Sequence, residues 1–298
     1  MRADVLNTNS GAYDGKTRAE TIFEWDYINC APPVVHAFGN SATDVYADGD
    51  KFGIIWPGPG GQMYPSVASC IGAFTAVGTI PNVDGAVPAT DTNSTVAGLN
   101  MQMDAETADN TGVEIVFSGS QYGSASNKIV AGTHSAVIDV TWNNVDWSDY
   151  DACVIGLRKV EEFETGHGGI LAAASGDPLY TDFVAFGCQS ADDVQIASAL
   201  NDAARTYTDS GDATAANHNH RFQIILDSDG AVTYKHIGAA AMREGALAAP
   251  STTAAYTFDS GDTLVPYMVV QGTNQNSAIY LKDLKITRSP SVKGHSVA

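Results

Sequence analysis

Positive charge is what this sequence has least of. Its 298 residues hold 15 Lys and Arg against 34 Asp and Glu, for a net charge of −19. A surface that acidic repels phosphate backbones, which excludes nucleic acid as a partner. Glu is scarce too, at 8 residues against 26 Asp. Glu favours helix interiors while Asp favours turns and caps, so the imbalance speaks against a helical protein. No apolar run reaches the length that spans a membrane. The opening MRADVLNTNSGAYDGKTRAE lacks the apolar core of a secretory leader, so neither membrane nor export is expected. Cysteines number four (Cys30, Cys70, Cys153 and Cys188), far apart and without a CxxC pair. Cys153 and Cys188 sit in apolar, strand-like runs, where free thiols pack as small hydrophobes, and a reducing cytoplasm suits them. The GPGG of residues 58–61 has no Lys-Ser/Thr behind it, which removes a phosphate loop, and no nucleophile context for Ser/His/Asp chemistry is present.

What is present is punctuation and short β-prone runs. Gly occurs 29 times, and from about residue 96 nine segments rich in Val, Ile, Tyr and Phe are each bounded by Gly, Asn, Asp or Ser. They are 112–119, 135–142, 151–160, 182–188, 194–200, 221–227, 231–237, 263–271 and 277–286. Nine short strands without helical periodicity between them predict an all-β sandwich of antiparallel sheets. Within it, RFQIILDSDGAVTYKHIG places Phe222, Ile224 and Leu226 on one face, and Val232 and Tyr234 can return to the same core. Asp-Gly supplies the tight reversal, and no Glu follows at the position a helix–loop–helix calcium loop requires.

Residues 1–95 read as an irregular, extended N-terminal arm, followed by a sandwich over 96–288 and a tail over 289–298. The arm holds an unusual feature: from 52 to 83 there is not one charged residue. On so acidic a chain that segment must be covered, either by its own domain or by a partner subunit. If by a partner, Trp56, Met63, Tyr64 and Phe74 are its interface residues.

The runs RFQIILDSDGAVTYKHIGA and GDTLVPYMVVQGTNQNSAIYLKDLKI resemble the closing strands of concanavalin/laminin-G-like (jelly-roll) sandwiches, in which an Asp-Gly hairpin precedes a Leu-Val-Pro strand and the last strand ends in Lys-Asp. ETADNTGVEIVFSG, KIVAGTHSAVIDVTW and WSDYDACVIGLRKVEEF are similar to segments of large sandwich proteins of tailed phages, marine ones especially. The resemblance implies a virion structural protein made in the host cytoplasm, a capsid decoration or cement protein meeting the major capsid protein or other virion proteins, and an oligomer. It carries over no functional residue.

Four constellations could carry other chemistry. Glu161, Glu162, Glu164 and His167 crowd one short stretch, in which Glu162 and Glu164 have the alternating strand spacing a sandwich-type glycoside hydrolase needs, but the segment runs into a Gly-rich loop and reads as a solvated strand end. His218 and His220 would share a side if extended, and zinc could use them with a third ligand. Asp44, Asp48 and Asp50 offer hard oxygens to calcium, at a spacing that fits no loop template. Trp142 continues the alternation of 137–142 into the core, whereas Trp147 and Tyr150, among Asp and Asn, form a candidate platform for a sugar ring. The expectation is therefore a structural protein with no cofactor and no enzymatic activity; a carbohydrate-binding tail, fibre or adhesin module is the alternative, and a glycoside hydrolase the third.

Overall fold

Alternation of apolar and polar residues sorts the chain into layers. The computed structural model describes residues 19–31, 33–36, 45–72, 74–75, 98–100, 111–118, 128–144, 150–163, 180–189, 193–214, 218–239, 247–272 and 279–290. The strands in the first part are β1 (Glu20–Asp26), β2 (Val34–His36), β3 (Val45–Tyr46), β4 (Lys51–Pro57), β5 (Met63–Ile71), β6 (Phe74–Thr75), β7 (Leu99–Asn100), β8 (Thr111–Val116) and β9 (Ile129–Val130). They continue with β10 (His134–Asn144), β11 (Tyr150–Lys159), β12 (Phe183–Gln189), β13 (Asp193–Ala199) and β14 (Thr206–Ala213). The last five are β15 (His218–Leu226), β16 (Ala231–Ala239), β17 (Tyr256–Thr257), β18 (Thr263–Gly272) and β19 (Ile279–Pro290).

Two large sheets form, and every pairing in them is antiparallel. One runs β1-β19-β10-β15-β16-β17, with β7 also on β19. The other runs β14-β13-β12-β11-β18-β8-β5-β4-β2, with β9 also on β18. Ring contacts across the gap show that the sheets pack face to face. Phe186 of β12 lies 5.2 Å from Phe222 of β15, and Trp25 of β1 lies 5.7 Å from Trp56 of β4. The architecture is the antiparallel β-sandwich the sequence predicts, and all nine anticipated segments are strands.

The Asp-Gly hairpin joins β15 to β16 in the expected register, Leu226 opposite Val232 and Ile224 opposite Tyr234. Gly230 adopts φ 93°, and a Cβ there would meet the Phe258 carbonyl oxygen at 2.5 Å. Only glycine meets both demands.

The sandwich starts earlier in the chain than expected. β1 pairs along β19, and β5 pairs with β8 and carries β4 beside it. Ile22, Phe23, Trp25, Phe52, Ile54 and Trp56 all lie in the core. The boundary placed at residue 95 therefore cuts through both sheets. The described part of the arm is largely strand, because KFGIIWP sends alternate bulky side chains inward and ETIFEWD buries Ile22, Phe23 and Trp25 around a register shift.

Candidate docking face

The charge-free segment divides its residues between two faces. On β4, Phe52, Ile54 and Trp56 point into the sandwich, while Gly53, Ile55 and Pro57 face out. Trp56 is fully buried, donates its indole N–H to Ser66 Oγ at 2.8 Å, and meets Phe23 edge-on at 5.6 Å. It is a core residue, which corrects its assignment to an interface: an indole with an internal acceptor and aromatic walls is satisfied within the chain. Tyr64 is half-buried, with its ring 5.3 Å from Phe23 and its hydroxyl donating to Gln62. Met63 does face solvent, at 63% exposure. Phe74 belongs to β6, opposite Tyr46, and its side chain lies outside the described residues.

Register assembles the outward residues into one patch. Val34 of β2 stands opposite Ile55, and Ile55 opposite Pro65 of β5, so the three form a row across the last strands of the sheet. Pro57 opposite Met63 lies on one side of the row, and Val67, opposite Gly53, on the other. Val34 is 52% exposed, Pro65 is exposed, and Ile55, Pro57 and Val67 are half-buried. Lys51, at the far end of β4, is the one charge on these three strands. Toward the middle of the sheet the outer face stays apolar but is covered, with Ile71, Val116, Val154, Ala185 and Val269 buried.

Sequence reasoning missed one buried polar cluster and, of a second, saw His220 but not its partners. The first lies on the covered outer face. Arg158 of β11 reaches diagonally over β18 to Glu114 of β8, with Nε and Nη2 donating to Oε1 at 3.2 and 3.0 Å. Its Nη1 donates to the carbonyls of Lys159 and Glu161, both at 3.1 Å, and its guanidinium lies 4.2 Å from the Tyr180 ring centroid. Tyr180 donates its hydroxyl to Glu114 Oε2 at 2.7 Å. Burial disfavours the Arg158 charge, but the Glu114 carboxylate outweighs it and the pKa moves up, so Arg158 stays charged. Gly156 makes the space, since a Cβ there would meet the Tyr267 ring at 2.5 Å. A signal existed: GVEIVF carries Glu114 and VIGLRKV carries Arg158 and Lys159 inside otherwise apolar strands. The neighbouring carboxylates are also engaged, Asp182 by Lys159 at 3.2 Å and by the Asn201 N–H, and Glu161 by the Thr181 N–H and hydroxyl. Glu162 is exposed, and Glu164 and His167 lie outside the described residues.

The second cluster bridges the two sheets at their β14 and β16 edges. His218 and His220 do share a face, on strand β15. His236 of β16 lies with Nδ1 2.9 Å from Asp212 Oδ2 of β14 and Nε2 3.1 Å from His220 Nδ1. Neutral imidazoles satisfy the chain when His236 donates to Asp212 and accepts from His220. Burial holds the His236 pKa below its ordinary value, with Asp212 opposing. In the unfolded chain His236 takes up a proton near pH 6.5, and in the folded chain only below that, so its contribution is complete above the unfolded pKa and is lost as pH falls through that window. Asp283 acts in the opposite sense: burial, with Asp139 and Asp26 adding and the Thr141 hydroxyl opposing, pushes it up to about 6, so its penalty is relieved on acidification. The expected result is therefore differential. Relative to His236→Phe, the native chain should lose several degrees of Tm between neutral pH and about pH 5. Parallel Tm–pH curves for the two proteins would remove the assignment.

Other sequence candidates are placed as follows. Asp48 Oδ1 accepts the Gly72 N–H and Asp50 Oδ2 the Ala47 N–H, both ordering the turn before β4, while Asp44 lies outside the described residues. Trp142 is buried and stacked on Phe222 at 4.5 Å, as its alternation predicted. Tyr150 opens β11, with its side chain outside the described residues, as is the whole of Trp147. All four cysteines are free thiols, with Cys153 directly opposite Cys188 across β11 and β12.

No family model and no curated protein matches this chain. Among solved structures it is similar to lectin I from Ulex europaeus in complex with the methyl glycoside of α-L-fucose, at 11% identity and TM-score 0.42, over 66% of this chain and 87% of the lectin. It is also similar to the metal-free lectin I-B4 from Griffonia simplicifolia, at 10% identity and TM-score 0.41, over 67% and 95%. A protein of unknown function from Shewanella oneidensis MR-1 is similar across 100% of this chain and 98% of its own, at 9% identity and TM-score 0.39. At such identities no binding residue is carried from those proteins to this chain.

Proposed function

We propose that this chain is a non-catalytic structural protein that takes its place in a larger assembly through the apolar corner formed by β2, β4 and β5. The setting we propose is a virion, with the chain as a decoration or cement protein on the shell. One observation carries the reading: on a chain of net charge −19, Val34, Ile55, Met63 and Pro65 form an outward row and flank with no charge among them. Water contact with such a patch is costly, and covering it with a matching surface recovers about 25 cal/mol per Å² of apolar area. The acidic remainder keeps the particle surface hydrated.

The test uses charge at the two most exposed positions. Val34→Asp with Met63→Asp should leave the melting temperature within a few degrees of the parent and lower its occupancy on purified particles at least about tenfold, since two buried charges cost more than about 1.4 kcal/mol. Normal occupancy of the variant would end the reading.

Carbohydrate binding is the second reading, and it rests on Trp147 and Tyr150. Its signature is glycan-array binding, galactose- and fucose-terminated sugars included, that disappears in Trp147→Ala while particle occupancy is unchanged.

A further inference from the structure

A strand at the end of a sheet presents unpaired N–H and C=O groups, and folded proteins guard such edges with charge, irregularity or brevity. The four end strands of this sandwich are not guarded alike. β14 carries Asp209 and Asp212, and its pairing shifts register between Asp193 and Gln195 of its neighbour. β1 carries Glu20, Glu24 and Asp26 and shifts register between Thr21 and Phe23. β17 is two residues long. β2 has neither charge nor a register shift, and its guards are its shortness and the Pro32-Pro33 pair just ahead of it. It reads Val34-Val35-His36, pairs with β4 in unbroken register, and has no second neighbour among the described strands. Within the 17 residues from Tyr27 to Thr43 there is no Asp, Glu, Lys or Arg at all.

We propose that two copies of this chain join by antiparallel pairing of β2 with β2 about a two-fold axis. The two ten-stranded sheets become continuous, and the Val34, Ile55 and Pro65 rows of the two copies adjoin side by side on one outer face, which stays free for docking. The proposal rests on the apolar corner of the docking role above and names the occupant of its open edge. Charge selects a second copy. A cationic partner would be drawn to the acidic faces and gain nothing at a neutral corner, whereas two molecules of charge −19 repel wherever their carboxylates approach. The β2 corner is where they can touch without that cost, because beyond about 8 Å the remaining charge is screened at physiological salt. An edge strand is also self-complementary under a two-fold axis: each unpaired donor on one β2 meets an acceptor on the other, as an isologous interface requires.

The experiment is sedimentation equilibrium of the full chain at low and high salt. A species of twice the 31.1 kDa chain mass is expected, dissociating more weakly as salt rises, because screening reduces the repulsion between the two acidic bodies. Val34→Lys, an edge lysine at a half-exposed position, should shift the equilibrium to monomer by about tenfold or more with an unchanged circular dichroism spectrum. A readout that needs no variant is hydrogen exchange at residues 34–36, where protection should rise with protein concentration. A native chain that stays monomeric, or a dimer that persists in Val34→Lys with concentration-independent exchange at 34–36, overturns the proposal. Should that happen while Val34→Asp with Met63→Asp still loses its place on particles, the docking face stands and its occupant is another protein.

Discussion

A chain truncated to begin at residue 96 is expected to lose cooperative folding rather than to yield a soluble sandwich without its arm. The truncation removes β1, which pairs with β19 at one end of the first sheet, and β4 and β5, which extend the second sheet beyond β8. With them go seven large buried side chains: Ile22, Phe23, Trp25, Phe52, Ile54, Trp56 and Ile71. At about 1.5–3 kcal/mol each, their burial is worth on the order of 10–20 kcal/mol, as much as the whole net stability of a typical domain. The loss also strips partners from what remains. Phe117 packs on Phe23 at 4.7 Å and on Trp56 at 6.2 Å, and β8 would become a bare edge beside the apolar Val113 and Ile115. Thermal unfolding of residues 96–298 should show no sharp transition, and the near-ultraviolet signal of the remaining aromatics should collapse. A cooperative melt close to that of the full chain would mean that the first strands are appendages after all.

The reason the arm looked irregular is local. β5 reads MYPSVASCI, and a proline argues against a strand inside a sheet because it cannot donate to the ladder. Here β8 pairs with β5 only from Val67 to Ile71, so among the described residues Pro65 sits where β5 has a neighbour on the β4 side alone. The proline is tolerated because the sheet steps inward at that point. β4 is bracketed by Gly and Pro, which read as loop punctuation. β14, TYTDSGDA, was invisible for the opposite reason: an edge strand with polar residues on both faces has no alternation to detect. By contrast, the nine segments downstream of residue 96 bury one or both faces, and period-two alternation or continuous apolar runs exposed them.

The candidate site was legible in part. That residues 52–83 had to be hidden followed from charge alone, but charge does not say which alternate residues turn inward, and that depends on which strand lies next to β4. The pairing with β5 and the packing against β1 send Trp56 into the core and leave Met63 outside. Val34 went unnoticed because a three-residue edge strand carries no periodicity. The buried polar clusters were hidden for a related reason: Glu114 and Arg158 are 44 positions apart in the chain, and only strand order brings them together.

That pair gives the second large effect. Arg158→Met should cost about 3–5 kcal/mol, the usual penalty when one partner of a buried ion pair is removed and the other is left uncompensated. The side chains of both residues are essentially inaccessible, at 0% and 1% exposure, so solvent cannot take over the role of the missing partner. Methionine fills similar volume without a donor, which isolates the charge from the packing. Glu114→Gln with Arg158→Met should recover most of the loss, because a neutral amide keeps an acceptor for the Tyr180 hydroxyl and removes the stranded charge. A hydrophobic replacement of a whole buried pair is often nearly neutral, so the double variant should unfold in urea within about 1–2 kcal/mol of the parent. If instead the two substitutions add, Arg158 is holding this face through its bonds to the Lys159 and Glu161 carbonyls and its contact with the Tyr180 ring, and the carboxylate is incidental. The coupling energy decides between them, and the ionic account requires it to be several kcal/mol in favour of the pair.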